Sequence, residues 1–329
     1  MGKKVLITSG PFDRAPASQG SGFEKASEIL TAAGLEIVRM IKREARDYSV
    51  SDFVGTMDGI NAVIAGSEPW NEELFKVSPD LKIISRYGVG FDAVDLAKAK
   101  EYGIMVTNTR VLQLSQAVGE AALGLTLSVL RHQPAMYADL KKGVWQGRPG
   151  VTLIGKTVGV VGFGAIGQNF AKLLAGFAGK ILACDPFVKQ DVADKVGATM
   201  VDMDTLLAQS DVVSVHAPNI KENYHLFNAG TIAKMKKGAV LVNTARGPLV
   251  DEKALYDALK SGHLYGAGLD VWEVEPTPAD NPLLSLDNVV CQPHVAGETL
   301  ESATAIAECD ARQVVDALSG KTPQYLLNP

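Results

Sequence analysis

Short runs of apolar and β-branched residues alternate with longer segments of helical periodicity along most of the chain. Continuous apolar runs are typical of strands buried on both faces, and the segments between them have the length of crossover helices. The pattern therefore predicts βα units, parallel sheets and an α/β protein. In the first third of the chain we predict strands at Val5–Thr8, Leu35–Arg39, Ala62–Ala65, Leu81–Ile84 and Ile104–Thr107.

The helical segments differ in length. Apolar residues recur at helical spacing over Gln116–His132, which predicts one long helix, and shorter helices are predicted at Phe23–Ala33 and Asp92–Tyr102. The segment Lys142–Pro149 is rich in Gly, Trp and Pro and predicts a loop. A final amphipathic helix at Glu298–Ser319 is expected to return to the first sheet, which would make the first domain discontinuous in sequence.

A second α/β series follows the loop. Its six predicted strands, with helices between them, fit a dinucleotide-binding sheet. They are Thr157–Val161, Ile181–Cys184, Val212–Val215, Val240–Asn243, Ala267–Val271 and Val289–Cys291.

Composition narrows the class of protein. The 329 residues are 47% hydrophobic and 21% charged, which excludes a disordered or fibrous chain and fits about two domains. The net charge is −5, and no block of Lys and Arg is longer than a pair, so we expect neither nucleic acid nor an anionic membrane as partner. The partners expected are small molecules and other subunits.

The start of the chain and its cysteines bear on location. The N-terminal residues lack a signal-peptide pattern, so a cytoplasmic protein is expected. The three cysteines are an odd number without CxxC spacing, which disfavours a disulfide framework or a zinc cluster. We expect reduced, mostly buried thiols and no metal site.

A glycine motif follows the first strand of the second series. After Thr157–Val161 the chain continues with Gly162, Gly164 and Gly167 in GxGxxG spacing and then a helical pattern. Such glycines allow a tight turn, close approach of the backbone to a diphosphate, and packing of the helix against the strand. Asp185 closes the next strand, where a carboxylate holds a ribose 2′-hydroxyl and disfavours a 2′-phosphate. The motif therefore predicts NAD rather than NADP.

Reactive side chains stand at the carboxyl ends of the other strands in this series. They are His216, Arg246, Asp270 with Glu275 just beyond it, and His294. Because ligands of open α/β sheets bind outside these strand ends, the side chains can converge on one site beside the cofactor. The remaining histidines are expected to be structural or exposed, and they are His132, His225 and His263.

Several of these stretches, in this order, resemble one family. From about Leu81 to Gly297 the chain is similar to the D-isomer-specific 2-hydroxyacid dehydrogenases, which include 3-phosphoglycerate dehydrogenase and glyoxylate/hydroxypyruvate reductases. The matching stretches are Arg86–Gly90 with Asp92 and Asp95, Val161–Gly167, His216–Pro218, Asn243–Gly247, Gly268–Val271 with Glu275-Pro276, and Pro293–Gly297.

The resemblance implies roles for individual residues. Arg246, Glu275 and His294 match the catalytic residues of the family, and the backbone amides of Gly88, Val89 and Gly90 would join Arg246 and His294 in binding substrate. Together with the glycine motif, the predicted cofactor-binding set is Val89, Gly162, Gly164, Ala165, Ile166, Gly167, Asp185, His216, Ala217, Pro218, Thr244, Ala245, Asp270 and Gly297.

The chemistry of a 2-hydroxyacid dehydrogenase suits these residue types. Oxidation removes the hydroxyl proton as hydride leaves C2 for the nicotinamide, and the imidazole of His294 can take that proton near neutral pH. Glu275 paired with it would favour the protonated imidazole. Arg246 offers a planar cationic fork for the substrate carboxylate and the developing carbonyl oxygen.

The resemblance also implies an architecture. A Rossmann-type, doubly wound NAD-binding domain would span 109–298, and a discontinuous flavodoxin-like substrate domain would comprise 1–108 and 299–329. It further implies a homodimer, with Gln116–His132 as part of the contact. The D-stereochemistry is expected from the resemblance alone.

The substrate is predicted from the charges in the first domain. The loop after its third strand carries Gly66 and acidic Glu68 and lacks a cation for phosphate, so we expect a small unphosphorylated 2-oxo acid such as hydroxypyruvate or glyoxylate. Arg110 could supply a replacement charge, which keeps 3-phosphoglycerate as the alternative. A second alternative is an NAD-sensing corepressor that retains the fold and the catalytic residues.

Overall fold

The computed structural model describes residues 2–9, 22–40 and 48–329. The chain forms two compact units, one of Met1–Leu114 with Glu298–Pro329 and one of Ser115–Gly297. The first boundary therefore lies within the first turn of a helix that begins at Leu112, a few residues beyond the predicted position 108. The assignment of substrate to one unit and dinucleotide to the other stays a prediction.

The first unit is built on a five-stranded, fully parallel sheet of order β2-β1-β3-β4-β5. All five predicted strands are confirmed, with ends shifted by one or two residues. This strand order is that of flavodoxin-like folds. The strands are β1 (Lys4–Ile7), β2 (Glu36–Arg39), β3 (Ile60–Ala65), β4 (Ile83–Arg86) and β5 (Met105–Thr107).

The second unit is built on a seven-stranded, fully parallel sheet of order β12-β11-β10-β9-β6-β7-β8. Apart from the edge strand β12, the six strands in the order β8-β7-β6-β9-β10-β11 form the doubly wound arrangement of dinucleotide-binding folds. In this arrangement the strand order reverses beside β6. The strands are β6 (Thr157–Val161), β7 (Lys180–Cys184), β8 (Ala198–Met200), β9 (Val212–Val215), β10 (Ala239–Asn243), β11 (Leu264–Leu269) and β12 (Val289–Cys291).

Two strands of this sheet correct the sequence-based expectation. The six predicted strands are present, but the short edge strand β8 was not predicted, because three residues with one exposed threonine carry no apolar run. Strand β11 begins at Leu264 rather than at Ala267, because Gly266 and Gly268 interrupt its apolar pattern. A Cβ on Gly266 would lie 2.6 Å from Val129, so these glycines let a helix pack closely on the strand.

The helices largely follow the predictions. The final helix packs against the first helix and against β3 and β4, which makes the first unit discontinuous in sequence. The helix over residues 133–141 was not predicted, and the predicted loop at Lys142–Pro149 has no regular structure. The helices are α1 (Gly22–Ala32), α2 (Val50–Phe53), α3 (Glu72–Lys76), α4 (Leu96–Glu101), α5 (Leu112–Leu130), α6 (Gln133–Lys141), α7 (Ala165–Leu173), α8 (Gln190–Asp194), α9 (Met203–Gln209), α10 (Ala229–Ala233), α11 (Glu252–Lys260) and α12 (Leu300–Leu318).

The thiols are less buried than expected. Cys184 and Cys309 are half-buried and Cys291 is exposed, and all three are free. The prediction of mostly buried thiols was therefore wrong, because β12 lies at the edge of its sheet and its last residue faces solvent. Over residues 2–9, 22–40 and 48–329, none of the helices is both long and apolar enough to cross a membrane.

Candidate active site

The loops that carry the predicted site residues of the second unit leave one edge of its sheet. Val161 at the end of β6 lies opposite Cys184 of β7 and Val215 of β9. On the other side, Asn243 of β10 pairs with Leu269 of β11, which pairs with Cys291 of β12. The parallel register therefore places the loops after these six strands side by side.

The three glycines of the turn after β6 differ in their steric surroundings. A Cβ on Gly162, which has φ +86°, would lie 2.5 Å from the backbone nitrogen of Ala217, and a Cβ on Gly167 would lie 2.3 Å from the carbonyl oxygen of Gly162. Those two glycines are required by backbone packing. A Cβ on Gly164 would meet nothing within 4 Å, and the helix α7 begins directly after it at Ala165 without a side-chain cap. This open helix N-terminus fits a diphosphate.

Asp185 lies beside the glycine turn. Its Oδ2 accepts the N–H of Phe163 and its Oδ1 accepts the N–H of Phe187, each at 2.8 Å. Each carboxylate oxygen keeps a lone pair for the hydroxyl of a ribose. Phe187, whose side chain is 91% exposed, stands next to this carboxylate and was not predicted from the sequence as a site residue.

Two buried polar atoms on the predicted cofactor loops have no hydrogen-bond partner among the described residues. They are Nδ1 of His216 and Oγ1 of Thr244. The other ring nitrogen of His216 lies 2.9 Å from Oγ of Ser214, and burial lowers the pKa of this imidazole to about 3, so the ring is neutral at physiological pH. Buried polar atoms without a partner are costly, and a bound dinucleotide would offer them partners. The residues of this edge therefore fit the cofactor.

The central relationship of the site joins the loops after β11 and β12. Nδ1 of His294 lies 2.9 Å from Oε2 of Glu275, and Oε1 of Glu275 accepts the N–H of Trp272 at 2.9 Å. The Glu275 side chain is 13% exposed and the His294 side chain 45%. Because a carboxylate only accepts hydrogen bonds, Nδ1 is the donor, and Nε2 is left as the nitrogen that can act on a substrate.

Asp270 anchors the loop that carries this histidine. Its Oδ1 accepts the N–H groups of Val295 at 2.8 Å and Ala296 at 3.0 Å, and its carbonyl oxygen accepts the N–H of His294 at 2.7 Å. The side chain is 1% exposed, and this burial raises the pKa of Asp270 against the opposing effect of the amide bonds. Asp270 therefore holds the histidine loop in place, which the sequence-based assignment to the cofactor did not anticipate.

Arg246 lies on the loop after β10, which is held by the last residue of that strand. Asn243 donates Nδ2–H to the Arg246 carbonyl at 2.8 Å and accepts the Ala245 N–H at 3.0 Å. A Cβ on Gly247 would lie 1.8 Å from the carbonyl oxygen of Trp272, so the arginine loop and the glutamate loop are in direct contact. The structure thus places Arg246, Glu275 and His294 on three neighbouring loops.

In the predicted substrate loop of the first unit, Gly88–Gly90, each carbonyl accepts a hydrogen bond from the same unit. Thr109 N–H donates to the Gly88 carbonyl at 2.9 Å, Asn108 Nδ2–H to the Val89 carbonyl at 2.7 Å, and Arg86 Nε–H to the Gly90 carbonyl at 3.0 Å. The three N–H groups of Gly88–Gly90 donate to no described residue. A row of available amides next to satisfied carbonyls suits an anion.

The positions not anticipated from the sequence are those that hold the site loops. Asn243 and Trp272 lie inside or beside recognised motifs, but no local pattern shows that they bond to the loops of Arg246 and Glu275. The other predicted cofactor positions lie on segments that follow strand ends, and their role at the cofactor stays a prediction. They are Val89, Ile166, Pro218, Ala245 and Gly297.

The three remaining histidines bond to neighbouring protein groups. Nε2 of His225 lies 2.5 Å from Oε1 of Glu273, Nε2 of His132 lies 2.6 Å from the hydroxyl of Tyr265, and Nε2 of His263 lies 3.0 Å from a backbone carbonyl. His294 is therefore the histidine whose ring contacts a carboxylate of the predicted catalytic set, that of Glu275.

Comparison with known proteins assigns the family. A family model described as "D-isomer specific 2-hydroxyacid dehydrogenase, NAD binding domain" matches residues 123–296, more than half of the chain. A glyoxylate reductase from Thermofilum pendens is 44% identical over 264 residues, which cover 78% of this chain and 77% of that protein. A D-3-phosphoglycerate dehydrogenase from Archaeoglobus fulgidus is 38% identical over 308 residues, which cover 93% of this chain but only 57% of that longer protein.

The fold agrees with the sequence comparison. The crystal structure of a glyoxylate reductase from Paecilomyes thermophila superposes with a TM-score of 0.84 at 27% identity, covering 99% of this chain and 98% of that chain. The glycine turn, Asp185 and the pair of His294 and Glu275 lie within residues 123–296, which the family model matches. The chain therefore belongs to the family of D-isomer-specific 2-hydroxyacid dehydrogenases and is an NAD-dependent oxidoreductase.

Proposed function

We propose that this dehydrogenase reduces a small, unphosphorylated 2-oxo acid such as hydroxypyruvate or glyoxylate with NADH. The observation that carries the proposal is the pair of His294 and Glu275, 2.9 Å apart, on loops beside the one that carries Arg246. An imidazole held by a carboxylate transfers protons at neutral pH, and a guanidinium binds a carboxylate through two parallel hydrogen bonds. These are the two functions that reduction of a 2-oxo acid requires.

Each catalytic side chain has one role in the proposal. Bound NADH supplies the hydride to C2 of the oxo acid. His294 in its protonated form keeps Nδ1–H on Glu275 and donates the proton on Nε2 to the carbonyl oxygen, and in the oxidative direction Nε2 takes the hydroxyl proton back. Glu275 orients the ring by accepting the N–H on Nδ1. Arg246 binds the substrate carboxylate. The amides of Gly88–Gly90 are proposed as substrate-binding groups from the family resemblance.

The cofactor-binding residues are also part of the proposal. Gly164 and the N-terminus of α7 would hold the diphosphate, and Asp185 would accept the ribose hydroxyls. The unpartnered atoms on His216 and Thr244 support contacts from those loops to the nicotinamide half. The further positions proposed from the family resemblance are Val89, Gly162, Ala165, Ile166, Gly167, Ala217, Pro218, Ala245, Asp270 and Gly297.

Preference for an unphosphorylated acid is supported by the loop after β3. Glu68 turns inwards: it is fully buried, and its Oε1 accepts N–H groups from Gly66 at 3.1 Å and from the indole of Trp70 at 3.2 Å. The loop therefore repels a phosphate less than its sequence suggested. It still offers no cation, because the Arg86 guanidinium is bonded to the carbonyls of Ala65 and Gly66.

Arg110 supports 3-phosphoglycerate dehydrogenase as the second candidate. Its side chain is exposed, and its Nε–H donates to Oδ1 of Asn108 at 3.1 Å, while the same amide holds the carbonyl of Val89. A substrate phosphate bound near Gly88–Gly90 would meet this cation. A tenfold or greater preference in kcat/KM for the phosphorylated acid, abolished by Arg110→Ala but not by Lys82→Ala, would establish this candidate.

The proposal is tested by an NADH-oxidation screen across 2-oxo acids. We expect the highest kcat/KM with hydroxypyruvate or glyoxylate, and lower values with bulky or phosphorylated acids. Turnover at ordinary rates also excludes the alternative of an NAD-sensing corepressor. Binding of NADH without turnover of any 2-oxo acid would favour that alternative and overturn the proposal.

We further propose that the protein is a cytoplasmic homodimer. Four large apolar side chains on α6 and just after it are exposed, namely Tyr137, Leu140, Val144 and Trp145, and Trp145 is 92% exposed. Such a cluster is typical of a protein interface, and with α5 it would form the contact. Light scattering should give twice the mass of the chain, and Trp145→Ser should lower it. The three free thiols support a reducing compartment, which fractionation of cells would test.

A further inference from the structure

The last helix carries a buried carboxyl group beneath the predicted substrate loop. Asp310 of α12 is fully buried, and the other buried residues of that helix face include Ala307, Ala311, Val314 and Ala317. Its Oδ1 accepts the hydroxyl of Ser85, at the end of β4, at 2.8 Å and the hydroxyl of Thr109, after β5, at 2.6 Å. One carboxylate oxygen thus joins two strand ends to the helix.

This arrangement is unfavourable for the fold alone. Oδ2 of Asp310 has no hydrogen-bond partner among the described residues. Burial raises the pKa of Asp310 to about 7, although the hydrogen bonds from Thr109 and Ser85 and the charge of Arg86 act against the shift. An apolar residue of similar size would fill this site at a lower desolvation cost. The carboxyl group therefore needs an explanation other than stability.

The contacts of Thr109 supply that explanation. While its hydroxyl is held by Asp310, its backbone N–H donates to the carbonyl of Gly88 at 2.9 Å. A second side chain of α12 acts in parallel: Nε2–H of Gln313, which is 2% exposed, donates to the carbonyl of Asn108 at 3.2 Å, and Asn108 holds the carbonyl of Val89. Side chains of the helix therefore hydrogen-bond to residues 108 and 109. These two residues in turn hydrogen-bond to the carbonyls of Val89 and Gly88.

We infer that Asp310 is a positioning residue for substrate binding, which acts through Thr109 to hold the carbonyl of Gly88 and so to keep the N–H groups of this loop available to the substrate carboxylate. The inference rests on the proposed function, in which these amides bind the 2-oxo acid. It goes beyond that proposal by placing a determinant of substrate affinity in the core of the first unit, on a helix more than 200 residues further along the chain.

The test separates the hydrogen bond from the shape of the side chain. Thr109→Val keeps the shape and the N–H bond to Gly88 but removes the hydroxyl, and Thr109→Ser keeps the hydroxyl. Asp310→Leu removes the acceptor, and Asp316→Leu, which alters a carboxylate on the same helix that only approaches Lys321, is the control. The measurements are KM for the 2-oxo acid, KM for NADH, kcat, the melting temperature, and amide hydrogen exchange of the segment 86–90.

Loss of one hydrogen bond to a carboxyl acceptor should raise KM for the oxo acid about five- to tenfold in Thr109→Val and Asp310→Leu. KM for NADH should stay within about twofold of the wild-type value, and the melting temperature shows whether a variant is destabilised as a whole. Exchange of the segment 86–90 should become faster in both variants. Thr109→Ser and the control should match the wild type. The double variant Thr109→Val with Asp310→Leu should raise KM by less than the product of the two single effects, because the single variants share the loss of the Thr109–Asp310 contact, although Asp310→Leu also removes the acceptor of Ser85 and Thr109→Val also removes the hydroxyl near the Arg86 carbonyl.

Three results would overturn the inference: unchanged KM for the oxo acid in Thr109→Val and Asp310→Leu, an equal rise in KM for NADH, or unchanged exchange of the segment 86–90. The exchange measurement needs no turnover. A wild-type protein that reduces no 2-oxo acid would overturn the proposed function instead, and the exchange pattern would then decide by itself whether Asp310 holds this loop.

Discussion

Nδ1 of His294 lies 2.9 Å from Oε2 of Glu275, and this contact joins residues that leave two neighbouring strands of the sheet. The second carboxylate oxygen of Glu275 is held by the N–H of Trp272, so the carboxylate has little freedom to turn away from the imidazole. The pair defines which ring nitrogen acts on substrate, and four of the predictions below concern this site.

His294→Gln should lower kcat by roughly 10²- to 10⁴-fold, because a glutamine cannot transfer a proton to the carbonyl oxygen. Binding of NADH, followed by fluorescence, should stay close to the wild-type value. His263→Gln is the matched control, because the ring of that histidine bonds to the backbone carbonyl of Ile232 and not to a predicted site residue. This variant should retain the wild-type kcat. A His294→Gln enzyme with more than about a tenth of the wild-type kcat would show that another group supplies the proton.

Glu275→Gln should weaken the orientation of the His294 ring, because the pair depends on a carboxylate that only accepts hydrogen bonds. An amide can present its NH2 group to Nδ1, so it no longer fixes that nitrogen as the donor and holds Nε2 less well for the proton transfer. We therefore expect a lower kcat at saturating NADH, with little change in KM for NADH. Wild-type kcat in the variant would mean that the two side chains do not interact in the working enzyme.

Arg246→Lys should still impair the enzyme although the charge is kept. A lysine cannot form the two parallel hydrogen bonds that a guanidinium makes with a carboxylate, so kcat/KM for the oxo acid should fall by at least about tenfold. KM for NADH should change little. Wild-type kcat/KM in Arg246→Lys would exclude the bidentate contact.

Asp185→Asn and Asp185→Ala together test the choice of cofactor. The wild type should prefer NADH over NADPH, because the carboxylate repels a 2′-phosphate. Asparagine removes the charge and keeps one hydrogen-bond acceptor for the N–H of Phe163, whereas alanine removes both. Discrimination against NADPH should relax in both variants, and NADH binding should weaken more in Asp185→Ala. A wild type with higher kcat/KM for NADPH would reverse this assignment.

The buried carboxyl of Asp310 should make stability depend on pH in a predictable direction. Burial raises its pKa from the ordinary 3.8 to about 7 in the folded protein, so the folded state holds this proton more tightly than the unfolded state. The contribution of this group to the free energy of unfolding should therefore be largest at low pH. It should fall as pH rises from about 4 to about 7. Burial also raises the pKa of Asp270 and Glu68, which act in the same direction.

Comparison with Asp310→Asn isolates the contribution of this carboxyl, because the amide does not titrate. The melting temperature of the variant relative to the wild type should rise between pH 5 and pH 8. A difference that stays constant over this range would mean that Asp310 keeps its ordinary affinity for the proton.

Much of the second unit was determined by local sequence. Strands buried on both faces must be continuous apolar runs, which is why six of its seven strands were predicted from the pattern alone. The glycine turn and Asp185 were identified because each depends on a fixed spacing from a strand end. The side chains at the strand ends, from Arg246 to His294, were predicted to converge for the same reason, since parallel strands bring their carboxyl ends to one edge.

Tertiary structure decided the features that depend on contacts between distant segments. The position of β11 is set by the close approach of α5 to Gly266 and Gly268, and a sequence does not show which helix will cross which strand. The edge strand β8 was missed because an edge position needs only three residues and little apolar surface.

The same limit applies to the carboxyl groups. The sequence shows Asp270, Glu68 and Asp310 as acidic residues, but only the packed fold shows that one anchors the histidine loop, one turns into the core, and one is buried against the end of β5. Their energetic cost and their roles arise from desolvation and from partners that lie far away in sequence. Local pattern therefore determined which strands form and which chemistry stands at their ends, and packing decided which buried polar groups hold that chemistry in place, because a buried group's partners depend on the whole fold.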